Sequence, residues 1–304
     1  MVETPLVDPF GRRVTGLRIA LTSRCNLRCI YCHHEGESSS SEKIEAQMVI
    51  SVAKAASELG MSHIKFTGGE PLMRDDLEDI ISQMPRILDI SVTTNGILLA
   101  QRASALADAG LGRANISLDS LNPKTYQAIT GSLDGDLEQV LVGVDAATEA
   151  GLMPIKLNVV VLRANDKEIP DLIEFARSKG LILQLIQLLD LKGLGISGDI
   201  EGIERFLQAN ANKVVTREMH RRRKYFIDGA EVEVVRPMDN TEFCAHCTRI
   251  RLTSDGKIKP CLLRNDNLIQ IGTCDKDEIK KLLRIANERR EPYFKGRKPH
   301  IGLV

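Results

Sequence analysis

Residues 17–32 read LRIALTSRCNLRCIYC, an apolar run that ends in three closely spaced cysteines. Leu17–Thr22 has the composition of a strand. Cys25, Cys29 and Cys32 follow in a C-x-x-x-C-x-x-C spacing, with the aromatic Tyr31 just before the last thiol. Three thiolates can hold three irons of a 4Fe–4S cluster and leave the fourth iron open. An open metal position can bind a small molecule, as catalytic metal centres do. The competing reading is a zinc knuckle. Zinc asks for four ligands, so His33, His34 or a more distant group would have to complete the set. The spacing favours the cluster.

A second cysteine set lies in residues 243–261, FCAHCTRIRLTSDGKIKPC. Cys244 and Cys247 form a C-x-x-C pair, and Asp255-Gly256 is a hairpin turn signal that folds Cys261 back toward them. Here too there are three thiolates. His246 could serve as a fourth zinc ligand, so cluster and zinc both stay open on the residues alone. These two triads absorb six of the seven cysteines, and Cys274 is expected to be a small, partly buried residue.

Composition narrows the rest. A chain of 304 residues with 43% hydrophobic content has a sizeable core and room for one large domain, or one plus a smaller unit. Lys plus Arg equals Asp plus Glu at 41 each, so no global basic field attracts nucleic acid. Aromatic content is 4% with no tryptophan, which removes the usual base-stacking platform. The opening MVETPLVDPFGRRVTG has no apolar core segment of a signal peptide, and no run approaches the roughly eighteen apolar residues of a membrane span. Thiolate clusters then point to a reducing, cytoplasmic setting without membrane attachment.

Beyond Cys32 the chain alternates strands and helices. Strands are expected at 17–22, 63–71 (strand and loop), 87–96, 114–120, 154–162 and 181–190, with helices over 45–59, 75–84, 99–109, 136–150 and 168–179. Six βα-type units with continuous apolar strands imply an α/β fold with a parallel sheet covered by helices. Periodicity alone allows either a flat doubly wound sheet or a six-unit incomplete parallel barrel; a closed barrel would need more units. The unusual residues favour the barrel. Cys25, TGGEP (67–71), TTNG (93–96), SLDS (117–120) and LLD (188–190) all sit at C-terminal strand ends, the face where parallel barrels keep their chemistry. The partial barrel is assigned to residues 1–190. Residues 191–304 form a smaller C-terminal α+β region that carries the second triad and closes the barrel.

The C-x-x-x-C-x-x-C triad followed by a strand-end GGEP resembles the radical S-adenosylmethionine (SAM) enzymes. With KFTGGEPLMR (65–74), TTNG, SLDSL, KLNVV (156–160) and the CTRIRLTSDGK block between the last cysteines, the whole chain closely resembles the GTP 3′,8-cyclase family of molybdenum cofactor biosynthesis. That resemblance implies a lyase with two 4Fe–4S clusters, one at each end of a channel, and SAM as cofactor. The first cluster, on Cys25, Cys29 and Cys32, would cleave SAM to a 5′-deoxyadenosyl radical. The second, on Cys244, Cys247 and Cys261, would bind the guanine of GTP. Hydrogen removal at the 3′ ribose carbon and attack on carbon 8 of the base would give 3′,8-cyclo-7,8-dihydro-GTP. The family's implied partners are an electron donor and the downstream cyclic pyranopterin monophosphate synthase, with a homodimer left open. A twin-cluster radical SAM enzyme acting on a peptide is the alternative.

Matched position by position, the family's SAM contacts fall on Tyr31, Gly69 and Ser117, and its GTP contacts on Arg18, Lys65, Thr93, Lys156, Arg249 and Arg251. Lys65 stands where many relatives carry arginine, keeping the charge but not the bidentate fork. Arg249 and Arg251 alternate on a strand and would point the same way. Leu189 stands where the family often has methionine. The end HIGLV (300–304) replaces a family Gly-Gly end, and Gly302 is expected to carry the close approach of the tail. The run HRRRKY (220–225) reads by default as a solvated basic stretch, with a phosphate-facing role as the minority reading.

Overall fold

The structure, a computed structural model, describes residues 4–37, 44–86 and 89–294. The His300–Val304 tail, including Gly302, therefore lies outside the described residues. Six strands run parallel and side by side in chain order: β1 (Gly16–Ala20), β2 (His63–Thr67), β3 (Asp89–Thr94), β4 (Arg113–Ser117), β5 (Lys156–Val161) and β6 (Ile182–Gln187). Between them come α1 (Ala46–Glu58), α2 (Leu77–Ser82), α3 (Leu99–Asp108), α4 (Pro123–Thr130), α5 (Asp136–Glu149) and α6 (Ile169–Ser178). Among the described residues up to β6, α4 is the one α-helix added to the expected elements. Asn122 caps it by accepting from the amides of Lys124 and Thr125, at 2.9 and 3.2 Å, and Pro123 suits the first turn.

The C-terminal part supplies α7 (Ile200–Asn210), β7 (Lys213–Thr216), β8 (Arg223–Ile227), β9 (Ala230–Val235), α8 (Thr241–Ala245), β10 (Arg249–Leu252), β11 (Lys257–Lys259), β12 (Ile269–Gln270) and α9 (Lys276–Glu288). Among the described residues all twelve strands form one sheet, in the order β12-β11-β10-β1-β2-β3-β4-β5-β6-β9-β8-β7. Strand β10 pairs parallel to β1 at one side and β9 parallel to β6 at the other. The C-terminal region thus extends both sides of the N-terminal sheet. The Asp255-Gly256 signal is realised as the turn between antiparallel β10 and β11, with Gly256 at φ +78°.

The expectation of continuous apolar strands needs correction, because the parallel strands alternate. One face carries Leu17, Ile19, Ile64, Phe66, Val92, Ile116, Leu157, Leu183 and Leu185, all buried in a single apolar cluster with residues of the helices. The other face carries Arg18, Lys65, Ser91, Thr93, Arg113, Asn115, Lys156, Asn158 and Gln184, which the register sets side by side. Among the described residues, the large apolar cluster takes its strand side chains from the first face. Two further expectations are corrected: Cys274 is exposed, and the 220–225 run is not simply solvated, since His220 and Arg222 are buried.

Candidate active site

The first triad sits in the loop after β1, and the loop after β2 locks against it. Gly68 takes φ +141°, and a Cβ there would lie 2.4 Å from the Thr22 carbonyl oxygen. A Cβ on Gly69 would lie 2.1 Å from the Arg24 oxygen. Both glycines are therefore required by the close approach of two backbones. The Gly69 amide donates to Thr22 O at 2.7 Å and the Glu70 amide to Arg24 O at 2.8 Å. The buried Glu70 carboxylate, missed in the sequence, accepts from the Leu72 amide, the Thr94 hydroxyl and the Asn95 amide. Asn95 in turn reaches Asn26 in the cysteine loop at 2.7 Å. One carboxylate so ties GGEP and TTNG to the triad.

Tyr31 donates its hydroxyl to Asp119 at 2.5 Å, and Asp119 also accepts from the Val160 amide. Burial lifts the Asp119 carboxyl to about 6, against the lowering effect of those two bonds. Ser117 ends β4 half-buried on the polar face, opposite Asn158 of β5. Leu189 is half-buried just after β6.

The second triad lies at the opposite end of the same strands. Cys244 and Cys247 precede β10, which runs parallel to β1, whereas Cys25–Cys32 follow β1. Strand β11 returns antiparallel and delivers Cys261 to the end where Cys247 lies. A buried ion-pair network secures this end. Asp8 Oδ2 accepts from Arg12 at 2.7 Å and pairs with Arg290 at 2.9 Å, and these arginines donate to the carbonyls of Cys244 and Cys247 at 2.9 and 2.6 Å. His246 is exposed, with its ring Nδ1 2.9 Å from the Glu242 carbonyl oxygen of the preceding helix.

Both triads fit a cluster by their donor chemistry. Burial, then the charges of Asp119, Cys32 and Cys25, push the Cys29 thiol up to about 12. Burial chiefly raises Cys25, Cys244 and Cys261 as well. These four thiols resist ionisation unless a cation neutralises them, as a bound metal does, whereas at Cys247 the effect of burial is overcome, chiefly by Arg290, and the thiol is lowered. Among the described residues no three His, Cys, Asp or Glu side chains converge on one ion. A cube asks for something else, one thiolate for each of three irons.

Between the triads the polar face is cationic. Arg251, Arg18 and Lys65 are register neighbours across β10, β1 and β2, and Arg249 lies two residues before Arg251 on the same face. Burial, then Arg249, Arg18, Lys156 and Arg113, hold Lys65 well below the usual lysine range. Thr93 is half-buried on this face of β3. Arg18 donates to Glu35 at 2.7 Å and Thr67 at 3.3 Å, and Thr67 donates to Glu35 at 2.9 Å. Burial opposes the Glu35 charge, but Arg18, His33 and Arg251 hold its carboxyl at about 2. Among the described residues, the side-chain Nε atoms of Arg18 and Arg251 are buried without a hydrogen-bond partner. Lys156 pairs with fully buried Glu233, which also binds Arg222 at 3.0 Å and Arg217 at 3.3 Å. Sequence reasoning missed Glu233, Arg217 and Arg222. The alternation EVEVV at 231–235 was the available signal, since Glu233 shares the face of the cations.

Residues 19–176 match the family model described as the radical SAM superfamily, and residues 192–296 match Molybdenum Cofactor Synthesis C. A Methanosarcina acetivorans protein named "Probable GTP 3′,8-cyclase" is 50% identical over 303 residues, covering 96% of this chain and 91% of the relative. One of the same name from Methanocaldococcus jannaschii is 47% identical, covering 95% and 99%. Among solved structures, Streptococcus suis SuiB bound to precursor peptide SuiA superimposes with a TM-score of 0.66 at 16% identity, over 88% of this chain and 64% of that one. The structure of anSMEcpe with bound AdoMet gives 0.59 at 18% identity, over 88% and 76%. At such identities these two share the α/β radical SAM fold. Among the described residues no helix is long and apolar enough to cross a membrane.

Proposed function

The chain belongs to the radical SAM superfamily and, within it, to the GTP 3′,8-cyclase family, and from that membership we propose how its own residues divide the work. The protein is a radical SAM lyase that cyclises GTP in molybdenum cofactor biosynthesis, with SAM and two 4Fe–4S clusters as cofactors. The peptide-acting alternative is not favoured, because relatives at 44–50% identity carry the cyclase name.

One observation carries the assignment of roles: a row of buried or half-buried cations on the polar sheet face, strung between two cysteine triads at opposite strand ends. In our reading that face lines the inside of an incomplete six-unit barrel over residues 1–190, which residues 191–304 close. A doubly wound sheet would cover both faces with helices. Cys25, Cys29 and Cys32 hold the cluster that, with SAM, supplies one-electron sulfonium cleavage and so hydrogen abstraction. Gly69 offers bare backbone to SAM, and Tyr31 and Ser117 frame it. Cys244, Cys247 and Cys261 hold the second cluster beside the base. Arg18, Lys65, Thr93, Lys156, Arg249 and Arg251 bind the nucleotide; the unpartnered Nε atoms of Arg18 and Arg251 leave donors for its phosphates. An electron donor, a downstream synthase that takes up the cyclised nucleotide, a cytoplasmic setting and a homodimer complete the proposal.

Anaerobic incubation with SAM, GTP and a strong reductant, followed by mass analysis of the nucleotide, tests it. The expected result is 3′,8-cyclo-7,8-dihydro-GTP with 5′-deoxyadenosine in matching amount. 5′-Deoxyadenosine without any cyclised nucleotide would overturn the assignment of GTP as substrate.

A further inference from the structure

The basic run 220–225 has no part in the site as drawn from the six nucleotide contacts, yet three of its residues are buried, Tyr225 in the apolar core and His220 and Arg222 elsewhere. His220 is 5% and Arg222 7% exposed. His220 takes φ +62° and the adjoining Arg221 φ +51°, a left-handed pair of non-glycine residues. Its ring stacks on Phe243, centroids 3.8 Å apart and 15° from parallel, one residue before Cys244. Among the described residues, His220 Nε2 and Arg222 Nε are buried with no hydrogen-bond partner. Leaving such groups unbonded is costly, and a ligand that bonds them recovers that cost.

Charge points the same way. Arg222, Lys156 and Arg217 all converge on the Glu233 carboxylate, so three cations share one anion. Arg222 and Lys156 are the buried members, with side chains 6% and 9% exposed. Arg222 also donates to Gln184 at 3.3 Å, on the polar face opposite Glu233 in the register. A surplus of buried positive charge on that face calls for a polyanion. The imidazole is of another kind. Burial, then Arg249, Arg222, Arg251 and Arg217, hold its pKa far below the usual range, so it is a neutral hydrogen-bonding group among arginines.

We infer that the 220–222 segment is a further wall of the nucleotide site, in which Arg222 binds the substrate's phosphates and His220 holds a polar atom of its nucleoside. The inference rests on the GTP reading and adds two residues that the barrel strands do not supply. Neither residue is assigned to the radical step; both position the substrate.

Equilibrium binding of GTP and guanosine to the anaerobic, cluster-loaded protein tests this without turnover. Arg222→Gln should weaken GTP by about tenfold or more while leaving guanosine nearly unchanged, since a charge-assisted phosphate contact is lost. Arg222→Lys should fall between, keeping the charge without the fork. His220→Phe, which keeps the stack on Phe243, should weaken GTP and guanosine by the same factor, and His220→Gln should restore part of that loss. Iron content and melting temperature, compared with wild type, report whether each variant folds. A GTP-to-guanosine ratio that stays at the wild-type value in Arg222→Gln or, should that variant not fold, in Arg222→Lys would show a purely structural ion pair. Unchanged binding of both ligands by His220→Phe would remove the histidine. If wild-type protein itself fails to bind GTP, the substrate reading falls as well, and the two failures are told apart.

Discussion

Lys156 shows how a single residue differs from its reading as a letter in PIKLNVV. Its register on β5 puts it on the polar face, as the alternation with Leu157 foretells, but its partner Glu233 is 77 residues away. Burial lowers its pKa to about 8, against the raising effect of Glu233. The ammonium is therefore charged below about 8 and loses its proton above it. If it faces phosphate, the preference of the loaded enzyme for GTP over guanosine should fall as pH rises from about 7.5 to about 9. Lys156→Arg, charged throughout, should flatten that profile, and Lys156→Ala should lower the preference by about tenfold at neutral pH. Superimposable profiles for wild type and the arginine variant would place the lysine away from the phosphates. His220 and Arg222 could not be read this way. In sequence HRRRKY is indistinguishable from a solvated charge run, and only the pairing of β8 with β9 brings it against Glu233.

At the scale of elements, the six parallel strands and most of the helices between them were legible because apolar content and helical spacing are local, whereas the elements after residue 191 were legible only as an α+β region with one hairpin. The segment Asn122-Pro123 carried a start signal for α4, a capping side chain followed by a first-turn proline, that the apolar pattern did not emphasise. The loops were legible as glycine-rich strand ends, but their reason was not. Gly68 and Gly69 are demanded by the backbone of residues 22–24, a contact across two βα units. Gly69→Ala should therefore force the GGEP loop off the cysteine loop, destabilising the protein by on the order of 1–3 kcal/mol and lowering its melting temperature. SAM binding, followed by calorimetry on the loaded protein, should weaken in parallel. Gly272→Ala, whose Cβ would meet open space, serves as the comparison and should be neutral. Wild-type stability and SAM affinity in Gly69→Ala would mean the two loops are not held together in solution.

On the scale of the whole molecule, parallel pairing of β1 with β10 sets the two triads at opposite strand ends, so each should be removable alone. Cys25→Ala should abolish 5′-deoxyadenosine formation yet retain the second cluster, while Cys261→Ala should spare the first and abolish cyclised GTP. Iron should drop from about eight to about four per chain in each case. Loss of all iron from either variant would contradict two independent sites.

The end that holds Cys244 and Cys247 depends on contacts no local pattern reveals: Arg290 reaches the Arg12 carbonyl across 278 positions of sequence. Arg290 is 1% exposed and Asp8 5%, so the network is a buried ion cluster. Two arginines share the one carboxylate, so removing Arg290 keeps the Asp8–Arg12 pair but takes a charged partner from a buried anion, at a cost of roughly 1.5–3 kcal/mol. It also frees the Cys247 carbonyl, to which Arg290 donates at 2.6 Å. Arg290→Ala should consequently lose the second cluster first. The expected protein has about four irons, intact reductive SAM cleavage, little cyclase activity and a lowered melting temperature. Arg290→Lys should recover part of the stability, because one charge returns to Asp8, but less of the cluster, because a lysine lacks the fork that reaches Asp8 and the Cys247 carbonyl together. An alanine variant with full iron content and unchanged melting temperature would show that the second triad is held by its hairpin alone.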